Sequence, residues 1–276
     1  MVWDSVDCIS HLFEQASHTS RSPFGKLVTR FDLGRTRRYE AMLVNAFDRV
    51  LVTSPVDKAA LETLAAVGGG QSPVQVLLNG VDLDYFASTE APREAETIVF
   101  SGKMSYHANV TAALHLVNDI MPWVWEAHPN ACVQIVGKDP PREVRELARR
   151  HSPLTICTGT VPDIRPFLHC ATVAVAPIAY GAGIQNKVLE SMACGTPVGA
   201  SSQAVSALDV MPGEHLLVGD RPDVFARQVL RLLDDADMRR RIGHAGRSYV
   251  EKHHDWDRIV GRLVDTYAEV IGRRHA

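Results

Sequence analysis

The sequence lacks the features that mark membrane, nucleic-acid and metal-binding proteins. No apolar run approaches the ~20 residues that a membrane-spanning helix needs, and the N-terminal MVWDSVDC has no basic start or apolar core of a signal peptide. The formal net charge of -3 over 276 residues is far from the basic excess of nucleic-acid-binding domains. Five cysteines stand singly, without a CxxC pair, which argues against a zinc site or a disulfide framework. We therefore expect a cytoplasmic protein without a nucleic-acid partner.

Low-complexity tracts and fixed-period repeats are also missing, so the chain should fold around a core. After residue 96, short β-rich runs alternate with helical patterns. The runs cover residues 97–101, 131–136, 154–157, 172–177, 196–200 and 215–219. The helical patterns cover residues 108–126, 142–150, 163–169, 184–193, 203–209 and 222–233. Apolar strands separated by helices predict a six-stranded parallel sheet covered on both faces, as in a Rossmann-like domain.

The first part of the chain has fewer predicted strands and helices. Two helical patterns, at 35–46 and 55–66, and two short strands, at 49–54 and 74–78, are too little for an independent α/β domain. We expect a partial N-terminal domain over residues 1–87 and a complete C-terminal domain over 88–255. The last segment, 256–276, should be a helix that packs back on the N-terminal part.

Ligands of such open sheets bind beyond the carboxyl ends of the strands, where the strand order reverses. With the common order, this point lies between the first and fourth strands of the six. The loops there are SGKMSYHAN (101–109) and IAYGAGIQNK (178–187). The first loop, 101–109, does not fit a nicotinamide dehydrogenase, because it lacks the GxGxxG that such enzymes carry after their first strand.

The second loop opens a helix suited to a nucleotide. Gly181 and Gly183 allow close backbone approach and leave N–H groups free at the helix start, where the helix dipole favours phosphate. Lys187 adds a full positive charge in the first turn, and Glu190, one turn deeper, can accept hydrogen bonds from ribose hydroxyls. The alternative is an ordinary surface pair, because Lys187 and Glu190 stand three residues apart on the helix.

The string from Gly181 to Val198, GAGIQNKVLESMACGTPV, resembles the donor-site signature of GT-B glycosyltransferases of family 4, the glycosyl transferases group 1. Other segments are similar to that family in order and spacing: 47–61, 77–86, 98–117, 133–141 and 158–177. The resemblance implies two Rossmann-like domains facing a cleft. The C-terminal one binds a nucleoside-diphosphate sugar and the N-terminal one presents the acceptor.

By the same resemblance, we expect retaining transfer to a glycan or lipid-linked acceptor without a metal or cofactor. A peripheral membrane contact stays open. The implied catalytic residues are Lys103, which stands in the place of the family's phosphate-binding arginine, and Lys187. The implied nucleotide-sugar-binding residues are Gly102, Asn109, Gly159, Thr160, Val161, Gly181, Ala182, Gly183, Ile184, Gln185, Asn186 and Glu190.

The chain also departs from the family pattern. The glutamate that contacts the donor sugar would fall at Ala182, and a second basic phosphate ligand would fall at Asn109, so Lys187 is expected to replace that charge. Family members carry a whole N-terminal domain before the segment DSVDCIS, which predicts a truncated chain. The alternative function is therefore a catalytically silent nucleotide-sugar-binding module.

Three further motifs carry less weight. Asp82-Leu83-Asp84 spells a DxD metal motif but lies in the segment between the domains. The cluster 253–257, HHDWD, is interpreted as a helix junction in which Trp256 packs and Asp255 caps. The basic run 239–241 is interpreted as a solvated helix end, with contact to membrane phosphates as the alternative.

Overall fold

The computed structural model describes residues 1–19, 23–67, 73–89, 91–181 and 183–275. The first unit is a parallel sheet of three strands in the order β1-β2-β3. Its strands are β1 (Val2–Val6), β2 (Arg49–Val52) and β3 (Val74–Val76). Its helices are α1 (Ile9–Thr19), α2 (Pro23–Ala46) and α3 (Pro55–Val67). The sheet and helices enclose a small core that includes Val50, Val52 and Leu61.

The second unit is a parallel sheet of six strands in the order β6-β5-β4-β7-β8-β9. The strands are β4 (Thr97–Ser101), β5 (Cys132–Val136), β6 (Thr155–Gly159), β7 (Val173–Ala176), β8 (Val198–Ala200) and β9 (Leu217–Val218). Every residue of the central strands β4 and β7 is buried, because helices cover both faces. The α/β class, the six parallel strands and their order are confirmed.

Helices connect these strands and follow the last one. They are α4 (His107–His115), α5 (Met121–Ala127), α6 (Arg142–Arg150), α7 (Arg165–Cys170), α8 (Asn186–Ala193), α9 (Ser202–Val205), α10 (Pro222–Asp234), α11 (Ala236–His253) and α12 (Trp256–His275). A π-helical turn, Leu116–Ile120, joins α4 to α5. Pro122 follows this turn and has no N–H for an α-helical bond, which explains why the predicted helix 108–126 is interrupted. Within the described residues, no helix is long and apolar enough to cross a membrane.

Two predictions about local structure were wrong. The first unit has a third strand, β1, and an additional helix, α1. In sequence β1 is short and carries Asp4 and Ser5, so it does not show the apolar pattern of a buried strand. Helix α8 begins at Asn186 rather than Ile184, because the backbone of its N-cap residue, Gln185, is extended, with φ −82° and ψ 92°, outside the helical region.

The two units are joined by a crossover around Val81 and are tied at the α11–α12 junction. Val81 N–H donates to the His254 carbonyl over 2.7 Å, and the buried His254 ring bonds the Asn79 carbonyl through Nδ1 at 2.8 Å. The Trp256 ring lies against Gly80, where an added Cβ would come within 2.5 Å of it. The cluster 253–257 therefore holds the crossover in place, which agrees with its interpretation as a junction.

Candidate functional site

The loop after β4 is shaped by close backbone contact. Gly102 follows β4 with a φ of 153°, and a Cβ added to Gly137 at the end of β5 would lie 1.7 Å from the Gly102 carbonyl oxygen. In the first turn of α4, Asn109 Nδ2 donates to the Lys103 carbonyl over 3.0 Å. Asn109 is 5% exposed, and its Oδ1 has no hydrogen-bond partner among the described residues. A buried acceptor therefore faces this loop without a donor.

Lys187 brings the second predicted loop against the first. A Cβ placed on Gly102 would lie 3.3 Å from Lys187 Cε and 2.8 Å from Asn109 Nδ2. Lys187 Nζ donates to Gln185 Oε1 over 2.9 Å. Among the described side chains, none caps the N-terminus of α8. The Lys187 ammonium and an uncapped helix N-terminus thus lie beside the Gly102 loop, a combination that favours anion binding.

The two charged side chains of α8, Lys187 and Glu190, have shifted pKa values. Burial lowers the pKa of Lys187 from 10.5 to about 8, partly offset by Glu190. Burial likewise raises the pKa of Glu190, against the effect of Lys187. These directions argue against an ordinary surface pair, whose groups would stay solvated. A bound anion would compensate the partly buried ammonium.

The first unit reaches this site at three points. Asp7 lies against Gly183: a Cβ built there would be 2.1 Å from Asp7 Oδ1. Gly181 N–H donates to Gln15 Oε1 over 3.1 Å, so the expectation that this N–H is free was wrong. Asn79 Nδ2 donates to Asn186 Oδ1 over 3.2 Å. The site therefore lies in the cleft between the two units.

Asp7 is a residue at this site that the sequence did not predict. Burial, with the nearby Asp57 charge, raises its pKa from 3.8 to about 6, while a hydrogen bond from Thr53 acts in the opposite direction. The only sequence signal was an acidic residue at the end of a strand, and β1 itself was not predicted.

The buried Tyr180 and the exposed His107 connect the two loops. Tyr180, 1% exposed, precedes Gly181, and its hydroxyl bonds His107 Nδ1 at 2.9 Å and Thr111 Oγ1 at 3.4 Å. The His107 ring stacks on Tyr180 with centroids 5.4 Å apart. Burial lowers the pKa of His107, which favours the neutral ring. The first turn of α4 is thereby attached to the glycine segment before α8.

The remaining predicted residues are placed as follows. Lys103 is exposed on the first loop, Ile184 is buried, and Asn186 is exposed at the start of α8. Gly159 ends the edge strand β6 and is followed by the exposed Thr160 and the half-buried Val161. This segment is two strands from β4, or roughly 10 Å, at the same end of the sheet. Ala182 lies outside the described residues.

Comparison with known proteins identifies the family. Residues 95–235, just over half of the chain, match the family Glycosyl transferases group 1. The chain belongs to this family.

Individual relatives agree with that assignment. The D-inositol 3-phosphate glycosyltransferase of Streptomyces bingchenggensis (strain BCW-1) is 24% identical over 254 residues, which cover 84% of this chain and 55% of the relative. The chain thus spans about half the length of this relative. Sucrose-phosphate synthase from Thermosynechococcus elongatus superposes with a TM-score of 0.76 at 21% identity, covering 99% of this chain and 68% of that one.

The Anabaena protein Alr3699/HepE, solved in complex with UDP, superposes with a TM-score of 0.76 at 15% identity, covering 97% of this chain and 72% of that one. Such neighbours show that the fold is that of GT-B glycosyltransferases.

Proposed function

We propose that the protein is a glycosyltransferase that takes a sugar from a nucleoside-diphosphate-sugar donor, bound in the cleft at the N-terminus of α8. The observation that carries this proposal is the partly buried Lys187 ammonium, held between an uncapped helix N-terminus and the Gly102 loop, with a lowered pKa. Burying a charge in this way is costly without a counter-charge, and a diphosphate supplies one.

In this proposal the diphosphate lies at the α8 N-terminus. Lys187 and the helix dipole stabilise the negative charge that develops on the departing diphosphate, and Lys103 extends from the facing loop. Glu190 accepts hydrogen bonds from the ribose. Gly159, Thr160 and Val161 lie farther along the sheet edge, where the base would extend.

The proposal also covers the stereochemistry, the absence of a metal and the acceptor. We propose retaining transfer, with leaving-group charge met by Lys187 and Lys103 and without a metal. The Streptomyces relative is named as a D-inositol 3-phosphate glycosyltransferase, and this name supports a polyol or glycan acceptor, with a lipid-linked acceptor and peripheral membrane contact as part of the same hypothesis. We further propose that residues 88–255 form the donor domain, that 1–87 form the acceptor side and that the protein acts in the cytoplasm.

The second candidate is a nucleotide-sugar-binding module without transfer activity. It is favoured by the sequence departure at Ala182, where the family's donor-sugar glutamate would fall.

A thermal-shift screen with UDP, GDP, dTDP, CDP and their sugars tests the donor site. A ligand at a hundred times its Kd should add about 2.7 kcal/mol, or a shift of roughly 5 °C or more. Glu190→Ala should lose the shift, whereas Lys252→Met, an exposed position of α11, should keep it. No shift with any ligand on a cooperatively melting protein would contradict the proposal. Release of free nucleotide from the stabilising nucleotide sugar, with and without acceptors, then separates the enzyme from the silent module.

A further inference from the structure

We infer that Asp7 accepts a hydrogen bond from a hydroxyl of the donor's sugar, so that a carboxylate of the first unit distinguishes the nucleotide sugar from the free nucleotide. This inference rests on the proposed function. It begins from the contact between Asp7 and Gly183, the glycine that turns the chain into α8.

The backbone before Asp7 is distorted in a way that aims this side chain. The pairing of β1 with β2 shifts register between Asp4 and Val6, and Val6 has a φ of 63°. A β-branched residue rarely adopts this conformation, and such strain concentrates at functional sites. Bulges of this kind redirect the side chain that follows. Thr53 N–H donates to the Val6 carbonyl over 2.8 Å, which holds the bulge against the end of β2.

The chain after Asp7 is fixed by two buried carboxylates. Cys8 N–H donates to Asp57 Oδ1 over 2.9 Å, and the N–H groups of Ile9 and Ser10 donate to the Glu40 carboxylate over 2.7 and 3.1 Å. Glu40 and Asp57 are thus occupied by backbone donors at 4% and 1% exposure. They anchor the segment and leave the orientation of Asp7 well defined.

Asp7 differs from these two carboxylates. Its side chain accepts a hydrogen bond from Thr53 Oγ1 at 3.4 Å, so the carboxylate keeps further acceptor capacity beside Gly183. A carboxylate repels phosphate oxygens but accepts hydroxyl donors strongly. Beside an anion site, its natural partner is therefore the uncharged, hydroxylated part of the ligand. In a nucleotide sugar, the sugar attached to the diphosphate is that part.

The ionisable groups around Asp7 come from both units. Asp57 raises its pKa, and the phenol of Tyr106, on the loop after β4, has a pKa raised by burial and by Asp7 itself. With a pKa of about 6, Asp7 is mostly ionised at pH 7.5 and loses its charge as the pH falls to 5. A sugar hydroxyl bound to Asp7 would also link the two units across the cleft.

The test compares Asp7→Asn and Asp7→Ala with the wild type by calorimetric titration of UDP against UDP-glucose and of GDP against GDP-mannose. At pH 7.5 we expect the variants to bind the nucleotide sugar about 10-fold or more weakly, because hydrogen bonds to charged groups have this worth. Binding of the free nucleotide should stay equal or tighten, since a like charge is removed. Glu62→Gln, at an exposed position of α3 in the same unit, should change neither.

The pH profile gives a second readout. The wild-type preference for the nucleotide sugar should fall as the pH is lowered from 7.5 to 5, and Asp7→Asn should show no such fall. Equal weakening of both ligands, or an unchanged ratio, would overturn the inference while leaving the donor site intact. Absence of nucleotide binding by the wild type would instead contradict the proposed function and this inference together.

Discussion

Replacing Lys187 by methionine should stabilise the empty protein and destroy its ligand response. The lowering of the Lys187 pKa from 10.5 to about 8 corresponds to a destabilisation of about 3 kcal/mol when the side chain is charged in the site. Methionine retains most of the apolar stem that packs against Gly102 and removes the charge. Glu190 loses its counter-charge in the variant, so we expect a net gain of about 1 to 2 kcal/mol.

The assay is chemical unfolding of wild type and Lys187→Met, each with and without the nucleoside diphosphate that stabilises the wild type best. The variant should have the higher free energy of unfolding without ligand and little or no increase with it. Lys103→Met, at an exposed position of the facing loop, should leave the stability of the empty protein nearly unchanged.

Two results would refute this reasoning. A variant that is less stable than the wild type without ligand would show that Lys187 serves the fold. A variant with an undiminished ligand response would show that the ammonium does not face the diphosphate.

Arg93 donates to five acceptors at 2.9 to 3.1 Å. Arg93→Ala removes all five hydrogen bonds and should cost about 3 kcal/mol or more. The melting midpoint should fall by about 6 °C or more, and an unchanged midpoint would contradict this. Gly137→Ala drives a methyl group into the carbonyl at the end of β4 and should weaken both stability and nucleotide binding. The control Gly261→Ala, with open space around the added atom, should raise stability by up to about 1 kcal/mol, and equal effects of the two would argue against the close contact. The pKa of His128 is raised, chiefly by its hydrogen bond to Glu96. Protonated His128 therefore stabilises the fold fully below its ordinary pKa of 6.5, and this stabilisation is lost as the pH rises through the raised pKa. The melting-point difference between wild type and His128→Gln should therefore shrink from pH 6 to pH 9, and a difference that grows would contradict the sign.

The second unit could be predicted from sequence because its strands are buried on both faces. Strands such as β4 and β7 read as unbroken apolar runs, and the alternation with helices leaves few topologies. Strand β1 could not be found this way, because Asp4 and Ser5 interrupt its apolar run and its pairing with β2 is a long-range property. The π-helical turn was missed for a local reason, because it precedes a single proline, Pro122.

The parts of the site that depend on strand order in the second unit could be predicted from sequence. The parts that depend on how the two units pack together could not. Two adjacent strands in a known order bring Gly102 and Lys187 together, and the sequence already indicated both loops. The contact of Asp7 with Gly183 depends on how the units face each other and on a bulge that no periodicity reports. The same holds for Gln15, whose side chain takes the Gly181 N–H.

The most direct test of the account is a crystal structure of the chain grown with the nucleoside diphosphate that stabilises it. We expect the diphosphate at the N-terminus of α8, within hydrogen-bond reach of Lys187 Nζ and beside Gly102, with the ribose near Glu190. A nucleotide bound elsewhere, with the Lys187 ammonium still directed to Gln185, would contradict the central claim.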